Sequence, residues 1–165
     1  LAPDAIYASN TSALPITDLA TASASPERFI GLHYFSPVEQ MPLLEIIRGA
    51  ATDERTVARC LAFCRRIGKL PIVVNDSRGF FTSRVFGTFV MEGVAMLSEG
   101  IPAAAIENAG VQCGMPVGPL AVIDETSMSL SVHVMEQTKA DFAAEGKPWE
   151  RGPLASSPGR GGRGR

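Results

Sequence analysis

Cysteine and histidine are scarce in this sequence of 165 residues, which contains three cysteines and two histidines. An uneven total of three is too few for the disulfide framework that stabilises many small secreted domains, since each disulfide uses two cysteines. None of Cys60, Cys64 and Cys113 has a metal-ligand spacing with His33 or His133, so no metal site is predicted. We interpret all three cysteines as reduced thiols in the core.

Long hydrophobic runs are also missing. No stretch approaches the roughly 20 uninterrupted apolar residues of a membrane-spanning helix, so no membrane span is predicted. The sequence starts at Leu1 rather than at Met and lacks the basic start of a signal peptide. We therefore expect the sequence to be a fragment whose beginning is missing.

The net charge is small, −2 at pH 7, and gives no electrostatic case for binding nucleic acid. Residues 151–165 differ from the rest, because they hold four arginines, no acidic residue and several Arg-Gly repeats. We expect this tail to be disordered. Binding of single-stranded nucleic acid is the alternative, but the tail has no aromatic residue on which a base could stack.

Hydrophobic residues make up 45% of the sequence and charged residues 19%, which is typical of a globular protein. Strand-like runs alternate with short helical patterns through the first half of the chain, and this order favours a mostly parallel sheet covered by helices. The predicted strands are 5–9, 29–35, 43–47 and 70–75, and the predicted helices are 16–22 and 53–67.

The pattern becomes helical after Gly79. Helices are predicted over 80–97, 102–112 and about 120–144. The helix over 80–97 is apolar on nearly every side, so we expect it to be buried all round, within a bundle or against a second subunit. The resulting domain division is 1–76, 77–150 and a tail over 151–165.

His33 and Glu45 stand out as the histidine and the carboxylate that lie within strand-like apolar runs. Two strands joined by a short loop can bring such residues within hydrogen-bonding distance. A neutral imidazole can then take a proton near neutral pH, while a buried carboxylate fixes its tautomer. The alternative is a structural core histidine bonded to a backbone carbonyl, with the glutamate reaching solvent at a strand end.

Four motifs follow one another along the chain, at residues 8–14, residues 31–38 with 41–47, residues 79–84, and residues 114–119. In order and spacing they resemble the L-3-hydroxyacyl-CoA dehydrogenase family, and especially the dehydrogenase part of multifunctional fatty-acid oxidation proteins. The resemblance extends from residue 1 to about residue 151. It implies the C-terminal half of a Rossmann-type NAD domain, followed by an incomplete helical dehydrogenase domain.

The resemblance also implies catalytic roles. In this family, the histidine matching His33 removes the proton of the substrate's 3-hydroxyl while a hydride passes to NAD, and the glutamate matching Glu45 pairs with it. The serine matching Ser12 hydrogen-bonds the substrate oxygen. Asn10 and Ser12 lie where the loop meets the cofactor.

Two further substrate-side positions, Ser36 and Ser83, depart from the single-function members of the family, which usually carry asparagine there. Serine at the first, and threonine or serine near the second, resembles the multifunctional branch. A serine hydroxyl can still donate one hydrogen bond to a substrate. For Ser83, a polar residue in the first turn of a helix is an equally good interpretation.

A dinucleotide-binding domain also needs a glycine-rich turn after its first strand. The glycine-rich run over 159–164 follows no predicted strand and opens no predicted helix, so we reject it as that turn. The resemblance implies an acyl-CoA substrate, a homodimer or a multienzyme β-oxidation complex, and the bacterial cytoplasm, or an organelle if the source is eukaryotic. The alternatives are an inactive truncated module and a related NAD-dependent hydroxy-acid dehydrogenase.

Overall fold

The computed structural model describes residues 2, 4–12 and 14–126, together with positions 139, 142, 143 and 146. The chain divides into two compact units, Leu1–Val85 and Phe86–Arg165. Most of the helix predicted over 120–144 and all of the tail over 151–165 lie outside the described residues.

Each strand predicted from the sequence is present, with bounds shifted by at most two residues. The strands are β1 (Tyr7–Ser9), β2 (Phe29–Tyr34), β3 (Leu43–Arg48) and β4 (Leu70–Asn75). The helices are α1 (Ile16–Ala20), α2 (Glu54–Arg66), α3 (Thr82–Ser98), α4 (Ala103–Gln112) and α5 (Pro119–Thr126), and a short 3-10 turn spans Pro26–Arg28.

The four strands form one sheet in the order β1-β2-β3-β4. The pairs β1–β2 and β3–β4 are parallel, which confirms the prediction of a mostly parallel sheet. The pair β2–β3 is antiparallel. The connection over residues 35–42 explains this exception, because it is too short for the crossover that a parallel pair requires.

The core of the first unit lies between the sheet and α2. Asp53 caps α2 by accepting the Thr56 backbone N–H at 2.6 Å, and Gly68, with φ of 72°, ends it in the left-handed conformation. Each buried aliphatic side chain of this layer contributes about 1.5–3 kcal/mol relative to exposure. The buried residues of this layer, aliphatic side chains and two cysteines, are Ile30, Leu32, Leu44, Ile46, Val57, Cys60 and Cys64.

A second cluster covers the opposite face of the sheet, where Ile16, Ile47 and Phe80 are fully buried. It joins α1 and β3 to the segment that leads into α3. Asp76 strengthens the same region, since its carboxylate accepts the backbone N–H groups of Ile16 and Thr17. The start of α3 is therefore anchored beside the strands.

One expectation about burial is wrong. Cys60 and Cys64 are buried, but Cys113 is exposed, because it lies at the C-terminal end of α4 rather than on its packed face. In α3, Val85 and Leu97 are 54% and 46% exposed within this single chain. The expected burial of α3 within a bundle or against a second subunit stays a prediction.

The helical unit has its own capping and packing. Glu107 of α4 accepts the backbone N–H of Leu120 at 2.7 Å and thereby caps α5. Pro119 packs so closely on Gly93 that a Cβ atom there would lie 2.6 Å from the proline ring. No helix in the described ranges is both long and apolar enough to cross a membrane.

Candidate active site

His33 and Glu45 are directly opposite residues of the antiparallel pair β2–β3. Such partners present their side chains on the same face of the sheet at close range. The His33 Nδ1 atom lies 2.9 Å from Glu45 Oε2, and both side chains are buried. The β2–β3 hairpin thus brings together the two residues that the sequence singled out.

The Glu45 carboxylate accepts four hydrogen bonds. Its Oε1 atom accepts the backbone N–H groups of Phe81 and Thr82 at 2.9 and 3.0 Å. Its Oε2 atom accepts the Thr82 hydroxyl at 2.8 Å and His33 Nδ1 at 2.9 Å. A charged group that is fully buried needs this number of donors to remain ionised.

Burial alone would raise the pKa of Glu45, because it disfavours the charged carboxylate. The hydrogen bonds from His33, from both donors of Thr82 and from the Phe81 N–H outweigh burial, so the pKa of Glu45 lies below its ordinary value. An ionised Glu45 can only accept hydrogen bonds. The Nδ1 atom of His33 is therefore the protonated nitrogen of the neutral ring.

The other ring nitrogen of His33 faces the loop that follows β1. Its Nε2 atom lies 3.1 Å from Ser12 Oγ. With Nδ1 protonated, Nε2 accepts and the serine hydroxyl donates. Since Ser12 is exposed whereas His33 is buried, the accepting nitrogen points toward the open side of the site.

Two aromatic rings pack against the imidazole of His33. The ring centroids of Phe35 and Phe80 lie 4.6 and 5.9 Å from that of His33. Phe80 is fully buried and has a φ of 47°, the left-handed conformation that is uncommon for a bulky residue. Backbone strain of this kind persists only where the surrounding packing fixes it.

The remaining predicted residues take different positions. Asn10 fastens the loop after β1 to β2, because its Oδ1 atom accepts the Tyr34 backbone N–H at 2.9 Å. Ser36 is exposed directly after β2, and Ser83 is half-buried in the first turn of α3. Within the described part of the chain, neither of these serines hydrogen-bonds to His33 or Glu45.

Sequence reasoning missed Thr82, Phe35 and Phe80. A buried carboxylate requires donors, and the start of a helix supplies unpaired N–H groups. That principle singles out the Phe80-Phe81-Thr82 run as a candidate, but its pairing with β3 depends on a contact across 37 residues. Phe35 could have been found from strand periodicity, since it lies two residues after His33 on the same face.

The site lies where α/β folds bind nucleotides, beside the carboxyl ends of the parallel strands β1 and β2. Asn10, Ser12 and His33 lie at this edge, and their side chains offer hydrogen-bonding groups that a nicotinamide cofactor and its substrate could use. No described strand is followed by a glycine-rich turn, so the described residues offer no comparable group for the pyrophosphate of a dinucleotide.

A buried His–Glu pair beside the carboxyl ends of parallel strands is consistent with the class of α/β dehydrogenases that use a histidine base. Two family models match the chain: 3-hydroxyacyl-CoA dehydrogenase, NAD binding domain, over residues 1–77, and 3-hydroxyacyl-CoA dehydrogenase, C-terminal domain, over residues 79–156. The chain belongs to the 3-hydroxyacyl-CoA dehydrogenase family.

Individual relatives agree with this assignment. The fatty acid oxidation complex subunits alpha of Shewanella baltica and Shewanella putrefaciens are each 45% identical over 129 residues, which is 78% of this chain. The chain spans 18% of the length of these curated relatives.

Solved structures give the same result for the fold. An (S)-3-hydroxybutyryl-CoA dehydrogenase from Ralstonia eutropha is 38% identical with a TM-score of 0.78, over 84% of this chain and 50% of that one. A 3-hydroxybutyryl-CoA dehydrogenase from Escherichia coli is 30% identical with a TM-score of 0.77, over 87% of this chain and 30% of that one.

Proposed function

We propose that the protein of which this chain is part oxidises (S)-3-hydroxyacyl-CoA to 3-oxoacyl-CoA with NAD in fatty acid β-oxidation. The observation that carries the proposal is the 2.9 Å contact between His33 Nδ1 and Glu45 Oε2 at the nucleotide-binding edge of the sheet. This contact leaves Nε2 as an acceptor directed at Ser12.

His33 is the general base in this proposal. Its Nε2 atom takes the proton of the substrate's 3-hydroxyl, and the ionised Glu45 stabilises the imidazolium that results. The Ser12 hydroxyl donates a hydrogen bond to the substrate oxygen, where negative charge develops. Bound NAD would supply the acceptor for the hydride that leaves C3 of the substrate.

The other assignments are part of the same proposal. Asn10 and Ser12 contact the cofactor, and Ser36 and Ser83 contact the substrate. Residues 1–76 form the C-terminal part of the NAD-binding domain, and residues 77–150 belong to the helical domain. These assignments rest on the family motifs and on the position of the loop after β1 beside His33.

The relatives support a proposal for the partner and the compartment. The two Shewanella proteins named above are fatty acid oxidation complex subunits alpha. We propose that this protein acts in such a multienzyme complex or as a homodimer, in the bacterial cytoplasm, with an organelle as the alternative for a eukaryotic source.

The test compares His33→Gln with His133→Gln, both made in the protein expressed from its complete reading frame. NADH formation is followed with 3-hydroxybutyryl-CoA as substrate. We expect kcat to fall about 100-fold or more in His33→Gln, because general acid–base catalysis contributes 10²–10⁴-fold. We expect His133→Gln to retain the wild-type rate.

Equal rates for wild type and His33→Gln would refute the assignment of the base. Free 3-hydroxybutyrate provides a second arm. If free 3-hydroxybutyrate and its CoA thioester are oxidised at equal rates, the protein is a related hydroxy-acid dehydrogenase and not an acyl-CoA enzyme. If the wild type forms no NADH from either substrate, the proposed activity is refuted and an inactive module is the remaining interpretation.

A further inference from the structure

Thr82 donates a hydrogen bond to each oxygen of the Glu45 carboxylate. Its backbone N–H donates to Oε1 at 3.0 Å, and its hydroxyl donates to Oε2 at 2.8 Å. The Oε2 atom is the same one that accepts His33 Nδ1. One residue therefore fixes the plane of the carboxylate and the direction of the oxygen that faces the imidazole.

Thr82 is the first residue of α3 and lies one position past the capping residue, so its hydroxyl is not required to accept a backbone N–H of its own helix. The hydroxyl points outward and donates to a carboxylate on β3. The N–H groups of Phe81 and Thr82 are satisfied by Glu45 Oε1. The cap of α3 therefore depends on these backbone groups and on Glu45, and it does not need the hydroxyl.

Two consequences follow for His33. With the Thr82 hydroxyl bound to Oε2, rotation of the carboxylate would break a charge-assisted hydrogen bond, so Oε2 stays aligned with Nδ1. In addition, each oxygen of Glu45 already accepts two donors. A proton on Glu45 would displace one of them, so the carboxylate remains the acceptor and Nδ1 remains the donor.

We propose that Thr82 is a positioning residue for His33, acting through Glu45 by way of its side-chain hydroxyl. The inference rests on the proposed function, since it assigns to α3 the task of presenting Nε2 unprotonated to the substrate hydroxyl. Thr82, the first residue of α3, thereby sets which ring nitrogen of His33 on β2 carries the proton.

The experiment uses three changes at one position, Thr82→Val, Thr82→Ala and Thr82→Ser, in the protein expressed from its complete reading frame. Valine keeps the shape and the backbone N–H but removes the hydroxyl, alanine leaves room for water, and serine restores a hydroxyl. The matched control is Thr56→Val, because Thr56 is a buried helical threonine whose hydroxyl donates to the Glu27 carbonyl.

The first readout needs neither substrate nor cofactor. Imidazole ¹⁵N chemical shifts show which ring nitrogen carries the proton, and the signals that are lost in a His33→Gln variant assign His33. We expect the Nδ1–H form alone in wild type, Thr82→Ser and Thr56→Val. We expect a mixture of both tautomers in Thr82→Val and Thr82→Ala.

The second readout is the pH profile of kcat/KM for NADH formation. The Thr82 hydroxyl is one of the donors that lower the pKa of Glu45, so its removal should leave Glu45 protonated up to a higher pH and lower kcat/KM further at the acid end of the profile. We expect about a tenfold or greater loss of kcat/KM in Thr82→Val, in line with one hydrogen bond to a charged group. Thr82→Ser should recover most of it.

The proposal is overturned if a folded Thr82→Val or Thr82→Ala variant keeps the wild-type tautomer of His33 and shows no change at the acid end of its pH profile. An equal shift of both readouts in Thr56→Val would also overturn it, because the effect would then be general destabilisation. The two proposals fail separately. A protein that forms no NADH but loses the single tautomer on Thr82→Val contradicts the proposed function and supports the role of Thr82.

Discussion

His33 and Glu45 are paired residues of neighbouring antiparallel strands, and their side chains meet on one face of the sheet with Nδ1 and Oε2 2.9 Å apart. Successive side chains of a strand alternate between the two faces of the sheet, so this contact depends on the register of β2 and β3. A slip of one residue between β2 and β3 would move one side chain to the opposite face and separate the pair. The buried residues on both strands hold the register, so the hydrophobic core that folds the sheet also assembles the site.

The stability of the protein should depend on the ionised Glu45. Because hydrogen bonds hold its pKa below the ordinary value of 4.5, the carboxylate stabilises the folded state fully above that value. This stabilisation is lost as the pH falls through the lower folded-state pKa. In Glu45→Gln we expect a free energy of unfolding lower by about 1–3 kcal/mol at pH 7.

Urea unfolding of wild type and Glu45→Gln from about pH 7 to about pH 2 measures this, and the difference between them should shrink below about pH 5. Glu54→Gln is the control, since Glu54 is exposed at the start of α2. A difference between wild type and Glu45→Gln that does not change with pH would contradict the explanation.

The three cysteines should differ sharply in reactivity. Burial raises the pKa of Cys60 to about 11 and also raises the pKa of Cys64, so both thiols stay protonated and shielded at neutral pH. Cys113 is exposed. We expect iodoacetamide to alkylate Cys113 in the native protein and all three cysteines after unfolding, as measured by peptide mass spectrometry. Native labelling of Cys60 at the rate of Cys113 would disprove the buried placement of α2.

Adding a methyl group to β2 should destabilise the sheet beside His33. A Cβ atom on Gly31 would lie 2.8 Å from Ile47 and 2.9 Å from Ile16, both fully buried. We expect Gly31→Ala to cost about 1–3 kcal/mol in the free energy of unfolding, the range for overpacking.

Gly87→Ala is the matched control for this change. Its Cβ atom meets nothing within 4 Å in the middle of α3, so alanine should stabilise the helix by about 0.5–1 kcal/mol. Denaturant unfolding of both variants gives the comparison. Equal effects of the two substitutions would show that β2 and β3 are not packed as described.

Local sequence patterns were sufficient for the elements of the fold. Proline and glycine mark the ends of the strands, and the apolar stripe of residues 53–67 predicts α2 to within a residue at each end. Burial beyond a single element was harder to predict. The cysteine at position 113 suggested burial, but exposure depends on which other segment covers a surface.

The sequence by itself determined the candidate catalytic residues: a histidine and a carboxylate placed inside apolar strands, where an isolated polar group is costly. Only the tertiary structure decided how that chemistry is arranged. The antiparallel turn between β2 and β3 set the 2.9 Å contact, and the chain's return at α3 supplied the Thr82 donors. The physical reason is that a buried charge must be satisfied by whichever donors the fold brings near, and spacing along the chain does not encode them.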